Sequence, residues 1–186
     1  MQMNIDYLGF LKEVGKSKRL LRSGWIREKV NDPESVAEHS FRVGVLAMVL
    51  SDAVEVDKDK LIKMALLHDL AEVTTGDIVT ERWAVLDIEK RDEKEKAERD
   101  SIYKFFQKIG EGKKYQAIFD EMIARVTLEA KLFWQLDKLE MAIQAYEYEK
   151  EQNINLEEFF ETSEMHIKHP MLRQIFDDLL KLRKKK

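Results

Sequence analysis

The pair His68-Asp69 offers the most specific chemistry in the sequence, because it places an imidazole beside a carboxylate within the apolar stretch KMALLHDLAEV. If that stretch is one helix, Glu72 follows His68 by four residues and Asp69 by three, on the same helical face. An imidazole and a carboxylate can hold a divalent cation, and a second carboxylate is then left to handle protons. We interpret this group as part of a hydrolytic metal site.

His39 and Asp137 pose a related problem, since each lies in a segment that is expected to be buried. The plainer interpretation of His39 or His68 is a hydrogen-bonded core histidine, and that of Asp137 is a buried salt bridge or a helix cap. A buried carboxylate is costly, however, unless it is paired or coordinates a cation. One explanation accounts for all the unusual positions, namely that these residues lie close together in the folded protein: His39, the His68-Asp69 pair and Asp137.

The composition predicts a single all-α domain spanning residues 1–186. The chain has 44% hydrophobic and 37% charged residues, and its 7 Gly and 2 Pro argue against an all-β fold. A net charge of -4 shows no basic footprint for a nucleic-acid polymer. No signal peptide and no membrane-spanning run of ~18 apolar residues is found. The absence of Cys fits a cytoplasmic location.

Helical periodicity and capping signals predict the elements that position these residues. Ser35 and Glu38 form a capping box that opens a helix with His39 in its first turn. Asp57 is a plausible cap for the next helix, and Gly76 a plausible left-handed terminator of it. No strand signal is convincing, and the segment 22–34 is expected to be an ordered loop. The predicted helices cover residues 4–20, 35–53, 58–73, 87–108, 115–127, 129–151 and 171–183.

Three sequence strings carry a family resemblance: PESVAEHSFRV, LLHDLAEVTTGDI and FWQLDKLEMAIQAYEYE. Together they match the H…HD…D pattern, and the chain resembles the HD-domain metal-dependent phosphohydrolases over roughly residues 5 to 150. Within that family it is most similar to the 5′-deoxynucleotidase branch, the YfbR-like and HD-domain-containing protein 2 group. The resemblance implies a helical bundle of about six or more helices with a metal-site core at about residues 30–150.

The resemblance also implies one divalent metal ion, with His39, His68, Asp69 and Asp137 as its ligands and Glu72 as the catalytic proton-handling residue. Two imidazoles with two carboxylates suit Co²⁺ or Mn²⁺, with Zn²⁺, Ni²⁺, Fe²⁺ and Mg²⁺ as further candidates. Affinity order alone does not choose among these metals. The plainer alternative for Glu72 is a surface helix residue paired with Lys or Arg.

Substrate-binding roles are implied by the resemblance for Trp25, Thr75 and Asp77. Trp25 would form a wall against the sugar that disfavours a ribose 2′-hydroxyl, although it could equally be a hydrophobic plug. Thr75 would offer a hydroxyl and a backbone N–H near the phosphate. Asp77 belongs to a G-D turn, where it could also simply cap the next segment.

Phosphate recognition departs from the family pattern, because bacterial members carry an Arg directly before the Trp and this chain has Gly24. Arg22 or Arg27 is the expected substitute, since either can present a planar fork to a phosphate dianion. The sequence does not indicate which of these two arginines binds the phosphate.

The implied function is a metal-dependent 5′-nucleotidase acting on deoxyribonucleoside 5′-monophosphates, in a homodimer with no nucleic-acid polymer or membrane as partner. The alternatives are another HD-type phosphohydrolase, such as a dNTP triphosphohydrolase or a phosphodiesterase, and a non-catalytic nucleotide-binding protein. Leu128, Phe133 and Trp134 are candidates for a subunit contact, although core packing explains them equally well. His166 and His169 form an H-x-x-H pair that lacks an evident carboxylate partner and is not interpreted as a second metal site.

Overall fold

A computed structural model describes residues 5–76 and 88–185 of the chain, and the regular elements within these ranges are helices. The all-α prediction is therefore confirmed. Two 3₁₀ turns, Gly15–Arg19 and Ser51–Ala53, extend α1 and α3. The α-helices are α1 (Tyr7–Val14), α2 (Ser23–Arg27), α3 (Val36–Leu50), α4 (Lys58–Leu67), α5 (Glu72–Thr75), α6 (Ile88–Gln107), α7 (Gly112–Ala124), α8 (Leu128–Gln152), α9 (Glu157–His166) and α10 (Pro170–Arg183).

Helix α8 is the central element of the fold, since it packs against α3, α4, α7, α9 and α10. Its 25 residues span roughly 37 Å at 1.5 Å per residue. Leu132, Leu136 and Leu139 are buried as the apolar periodicity predicts, whereas Ile143 and Tyr146 are only partly buried. A helix surrounded in this way is buried on most of its circumference, so even its polar residues can face the interior.

The capping signals are confirmed at both predicted helix starts. The Ser35 side chain accepts a hydrogen bond from the Glu38 backbone N–H, and the Glu38 carboxylate accepts one from the Ser35 backbone N–H. Asp57 accepts from the backbone N–H of Lys60 at 3.0 Å. These local contacts satisfy amide groups that have no intrahelical partner, which explains why the starts of α3 and α4 are readable from sequence.

The prediction of one continuous helix over 58–73 is wrong. Helix α4 ends at Leu67, residues 68–71 form a turn, and α5 begins at Glu72. Within the turn the Glu72 backbone N–H bonds to the Asp69 carbonyl, three residues back instead of four, at 3.1 Å. The His68 ring also contacts the Ala65 carbonyl, with Nδ1 2.8 Å from the carbonyl oxygen. This tighter winding brings residues three apart into register, as in a 3₁₀ helix.

Two other elements differ from the sequence prediction. The expected loop 22–34 contains the short helix α2, and α9 lies in a segment for which no helix was expected. Gly76 has φ 82° and ψ 151°, so the predicted positive φ is confirmed but the backbone is in a region open mainly to Gly rather than in the left-handed helical region. Short helices such as α2 depend on tertiary packing, which explains why periodicity missed them.

Within the described ranges, no helix combines the length and the apolar character that crossing a bilayer requires.

Candidate metal centre

Backbone pairing around residues 20–36 positions His39 at the start of α3. The Val36 N–H bonds to the Leu20 carbonyl at 2.8 Å, and the Arg22 N–H bonds to the Glu34 carbonyl at 3.1 Å. The intervening segment is thereby closed into a compact loop beneath the first turn of α3. His39 in that turn is fully buried and faces α4 and α8.

Four side chains from three segments, namely α3, the turn after α4 and α8, bring their ligand-type atoms together. His39 Nε2 is 3.1 Å from His68 Nε2 and 3.1 Å from Asp137 Oδ1. Asp69 Oδ2 lies 3.0 Å from His68 Nε2 and 3.8 Å from His39 Nε2. Ligand atoms that share a metal at about 2.0–2.2 Å are themselves separated by roughly 3–4 Å. The ligand-type atoms of His39, His68 and Asp69 all lie within 4.8 Å of one another, and Asp137 joins this group through its contacts with the two imidazoles.

The hydrogen-bond partners of the two Nδ1 atoms determine the tautomer of each imidazole and therefore whether its Nε2 atom can bind a metal. His68 Nδ1 faces the Ala65 carbonyl at 2.8 Å, and His39 Nδ1 faces Glu140 Oε2 at 2.5 Å. A carbonyl or carboxylate oxygen only accepts, so in the neutral form of each imidazole Nδ1 carries the proton and Nε2 presents a lone pair. These lone pairs converge with the carboxylate oxygens of Asp69 and Asp137. Such a donor set fits a divalent cation, with each imidazole oriented by an outer acceptor.

The electrostatics of the centre also favour positive charge. Burial and the charge of Arg22 oppose protonation of His39, but Glu140 and Asp137 outweigh them and raise its pKa to about 9. Burial would raise the pKa of Asp137, yet Lys138 and His39 hold it well below its usual range. The Asp137 carboxylate is therefore ionised at neutral pH and available as an anionic ligand.

Glu140 and Arg42 support this centre, and the sequence reasoning assigned neither a role. Glu140 has an exposed fraction of 0%, and its second oxygen accepts from Arg42 Nε at 2.8 Å. Arg42 also donates a hydrogen bond from Nη1 to Glu147 at 2.7 Å. The buried Glu140 charge is thus balanced between an imidazole N–H and a guanidinium. Its spacing of three residues from Asp137 on a helix was the signal that could have identified it.

The centre opens into a cavity of about 490 Å³. Among the described residues, its acidic lining is Asp69, Glu72, Glu98, Asp137 and Glu158. Its basic lining is Arg22, Arg27, Lys94, Arg125 and Lys138. The apolar wall comes from α2, α7, α8 and α9, through Trp25, Met122, Ile123, Trp134, Met141 and Phe159.

Glu72 lies in this cavity with an exposed fraction of only 7%, three residues after Asp69 across the tight turn. The structure does not bring Thr75 into the lining: its hydroxyl donates to the Ala71 carbonyl at 3.3 Å, and its backbone N–H bonds to the same carbonyl at 3.2 Å. Asp77 lies outside the described residues, so its predicted substrate role stays a prediction.

Trp25 is part of the cavity wall but has an exposed fraction of 1%. Its ring stacks on Phe159 with a centroid distance of 4.2 Å, and its indole N–H donates to Glu34 at 2.9 Å. Burial raises the pKa of Glu34 to about 7, with the Glu140 charge adding to the effect. The packing of Trp25 therefore fits the plug interpretation and leaves only a small edge for contact with a sugar.

The two candidate arginines occupy different parts of the cavity. Arg22 contacts Asp69 directly and lies 3.8 Å from Glu34, at the metal-centre end. Arg27 is paired with Glu28 at 2.8 Å and with Glu158 at 3.0 Å. Only Arg22 of these two contacts one of the four predicted ligands in the described contacts.

The charged helix α6 also contributes to the cavity, through Lys94 and Glu98. Glu98 is buried, and burial raises its pKa although Lys94 at 3.4 Å opposes the shift. A Glu within a dense run of charges gives no sequence signal for burial.

The remaining predicted positions separate into core and surface. Phe133 is fully buried and Trp134 is partly buried, with its indole N–H donating to the Met122 carbonyl, so core packing explains both. Leu128 is exposed. His166 lines the cavity, whereas His169 does not.

Comparison with known proteins identifies relatives over most of the chain. A family model described as HD domain matches residues 14–177. The chain is similar to proteins named 5′-deoxynucleotidase HDDC2: the Danio rerio protein is 37% identical over 169 residues, covering 89% of this chain and 82% of that protein. The Homo sapiens protein is 35% identical over 176 residues, covering 92% and 83%.

Solved structures give the same result. A conserved hypothetical protein from Pyrococcus furiosus has 34% identity and a TM-score of 0.76, covering 94% of this chain and 99% of that chain. The PH0347 protein from Pyrococcus horikoshii OT3 has 34% identity and a TM-score of 0.75, covering 96% and 99%. A structure from Magnetospirillum magnetotacticum, at 23% identity and a TM-score of 0.70, covers 96% and 91% and shows the shared fold alone.

Proposed function

The chain belongs to the HD domain family, and from this premise we propose that its cavity is the active site of a divalent-metal-dependent 5′-deoxynucleotidase. The enzyme hydrolyses deoxyribonucleoside 5′-monophosphates to deoxyribonucleoside and phosphate. The observation that carries the proposal is the convergence of four lone-pair-bearing atoms at one end of a cavity that also contains Glu72. Relatives that are 35–37% identical bear this activity in their names.

In the proposed mechanism His39, His68, Asp69 and Asp137 hold the metal, and Glu72 moves the proton. A divalent ion bound there would polarise the phosphoryl oxygen and lower the pKa of water from 15.7 towards ~7. Glu72 accepts a proton from the water as its oxygen bonds to phosphorus. The bond from phosphorus to the 5′-oxygen breaks, and Glu72 returns the proton to that oxygen. A carboxylate that lines the cavity from a buried position is protected from competing solvent.

The charge of the cavity matches a phosphomonoester. Among the described residues, five acidic and five basic side chains line the cavity, so a divalent ion bound there would add about two positive charges to a formally balanced set. A phosphate monoester carries about 1.5 to 2 negative charges at pH 7. The electrostatic balance therefore favours a terminal phosphate as the group bound beside the metal.

Contacts to the phosphate and sugar are assigned within this proposal. Arg22 is the favoured phosphate-binding arginine because it contacts Asp69, while Arg27 is paired with Glu28 and Glu158. Trp25 supports the sugar through the edge that its packing leaves accessible. Thr75 and Asp77 are assigned to the substrate site on the resemblance alone. None of the contacts addresses a base edge, so broad base tolerance is expected.

A phosphate-release panel tests the proposal. Deoxyribonucleoside and ribonucleoside monophosphates, dNTPs and cyclic nucleotides are each incubated with Mn²⁺, Co²⁺ and Mg²⁺, the metals that also separate the cofactor candidates. Preferential phosphate release from the deoxyribonucleoside monophosphates is expected. Triphosphate release from dNTPs or opening of a cyclic nucleotide would identify another HD-type phosphohydrolase. Binding without any product would identify a non-catalytic nucleotide-binding protein.

Homodimerisation, a cytoplasmic location, and the absence of nucleic-acid and membrane partners complete the proposal. The dimer rests on the resemblance alone, and the location rests on the Cys-free composition. Light scattering coupled to size-exclusion chromatography tests the dimer: a mass near 44 kDa is expected from the 22.0 kDa chain. A mass of one chain at micromolar concentration would contradict it.

A further inference from the structure

Each of the two aspartates at the metal centre is contacted by a basic side chain. Arg22 contacts Asp69, and Lys138 Nζ lies 2.9 Å from Asp137 Oδ2. The other oxygen of Asp137, Oδ1, faces His39 Nε2 at 3.1 Å. Asp137 therefore presents one oxygen to the centre and the other to the Lys138 ammonium. The two cations lie beside the same four-residue cluster, each on a different aspartate.

Lys138 has donor capacity that its ion pair does not use. An ammonium group carries three N–H donors, and Asp137 Oδ2 is one acceptor. The Lys138 side chain is 23% exposed and lines the cavity. Its remaining donors therefore have access to the space beside the cluster.

The backbone at Lys138 is held in place from α9. The hydroxyl of Ser163, a fully buried residue, lies 2.8 Å from the Lys138 carbonyl and 2.8 Å from the Phe159 carbonyl, and its one O–H donor is shared between them. Side chains based on a packed helix are positioned more rigidly than side chains on loops. The Lys138 backbone on α8 is therefore held by the contact with Ser163 of α9, and its ammonium group is held by Asp137.

The other basic residues of the cavity are committed to different partners. Arg27 is paired with two glutamates, and Lys94 is paired with Glu98. The Arg125 guanidinium lies 3.9 Å above the Trp134 ring. In the described contacts Arg27 and Lys94 do not reach any of the four clustered residues. Arg22 and Lys138 each do.

We propose that Lys138 is a phosphate-binding residue, which places the substrate phosphate between its ammonium and the Arg22 guanidinium. The proposal rests on the proposed function and adds a residue to it. Lys138 supplies a point charge, and Arg22 supplies a planar fork, so the two bind different oxygens of the same phosphate. A purely structural role would confine Lys138 to neutralising Asp137.

Binding of inorganic phosphate to the Co²⁺-loaded protein tests the proposal without relying on turnover. The dissociation constants of phosphate and of Co²⁺ are measured separately, by calorimetry and by the Co²⁺ absorption spectrum, for wild type, Lys138→Met, Lys138→Arg and Lys131→Met. Lys131 is the matched control, because it lies two turns earlier on α8, is exposed and is outside the cavity lining.

In Lys138→Met the dissociation constant of phosphate is expected to rise about tenfold or more, the loss of one charged hydrogen bond, while that of Co²⁺ changes less than threefold. Lys138→Arg should recover most of the phosphate affinity, and Lys131→Met should match wild type. Unchanged phosphate affinity in Lys138→Met would overturn the proposal. Equal losses for phosphate and Co²⁺ would also overturn it, because Lys138 would then act only through Asp137. Wild type that releases no phosphate from any nucleotide would instead contradict the proposed function.

Discussion

Helix α8 carries two buried polar groups that differ in how their charges are compensated. Near its C-terminal end, Glu149 is buried and accepts two hydrogen bonds from Arg183, both at 2.8 Å. The Leu156 backbone N–H donates to the same carboxylate at 2.9 Å. Donors and acceptors match in this pair, which joins α8 to α10. Nothing in its chemistry calls for an added ion.

The metal centre, three turns earlier, is the opposite case. Asp137, His39, His68 and Asp69 direct lone pairs at one another, and the donors that surround them, such as Lys138 and Arg22, lie on the outside. Lone pairs that converge in this way are compensated by a cation, which is either a proton on His39, whose pKa is raised to about 9, or a divalent metal. The comparison shows that burial of charge alone does not identify a functional site. The two groups differ instead in the direction in which their lone pairs and donors point.

Asp69→Asn should have the largest effect of any change at the metal centre. The amide removes an anionic ligand from a group of four, so both bound metal and phosphate release are expected to fall to near background. Metal content after dialysis, measured by mass spectrometry, and the rate of phosphate release from dAMP check this. A variant that keeps one metal per chain would contradict the ligand assignment.

Glu72→Gln should separate proton transfer from metal binding. The substitution preserves shape but removes the base, so kcat is expected to fall by about 10²–10⁴-fold with metal affinity nearly unchanged. Glu98→Gln is the control, since it neutralises another buried carboxyl of the same cavity. It should change kcat by less than about tenfold. Near-normal turnover in Glu72→Gln would show that another group handles the proton.

Arg183→Met tests the ion pair between Glu149 and Arg183, in which donors and acceptors match. Breaking a fully buried ion pair costs about 3–5 kcal/mol. Because the Arg183 side chain is 18% exposed, a loss of about 2 kcal/mol in the free energy of unfolding is expected, or roughly 4–8 °C in Tm. Activity per folded molecule at 25 °C should stay at the wild-type level. A normal Tm together with a lower kcat would show that the Glu149–Arg183 pair serves activity rather than stability.

Glu140→Gln should have a smaller effect at the candidate metal centre than Asp69→Asn or Glu72→Gln, because it alters the orientation of a ligand rather than a ligand or the base itself. The neutral amide weakens the hold on the His39 Nδ1–H, so metal affinity is expected to fall by about 10–100-fold. Glu147→Gln, at the exposed end of the same Arg42 network, is the control and should leave metal affinity within about twofold. A Co²⁺ absorption titration of both variants measures this difference. Equal affinities in the two would show that Glu140 does not support the metal centre.

The sequence by itself determined the features that depend on neighbours along the chain. The capping box at Ser35 and the Asp57 cap each satisfy backbone donors within three residues, so the starts of α3 and α4 could be located. The side-chain types at the four predicted ligand positions, their burial in apolar segments and the all-α composition were also readable. Together with the family strings, these were sufficient to identify the residues that meet at the centre.

Only the tertiary structure decided how those residues are oriented and which others join them. The turn over residues 68–71 replaces a continuous helix, and the His68 ring there lies 2.8 Å from the Ala65 carbonyl. Glu140 and Lys138 look in sequence like ordinary charged residues of a helix, and their partners lie on the metal-centre side of α8. Contacts between residues about 100 positions apart, such as His39 with Glu140, depend on how whole helices pack. Helical periodicity states which residues share a face, but packing determines what that face meets.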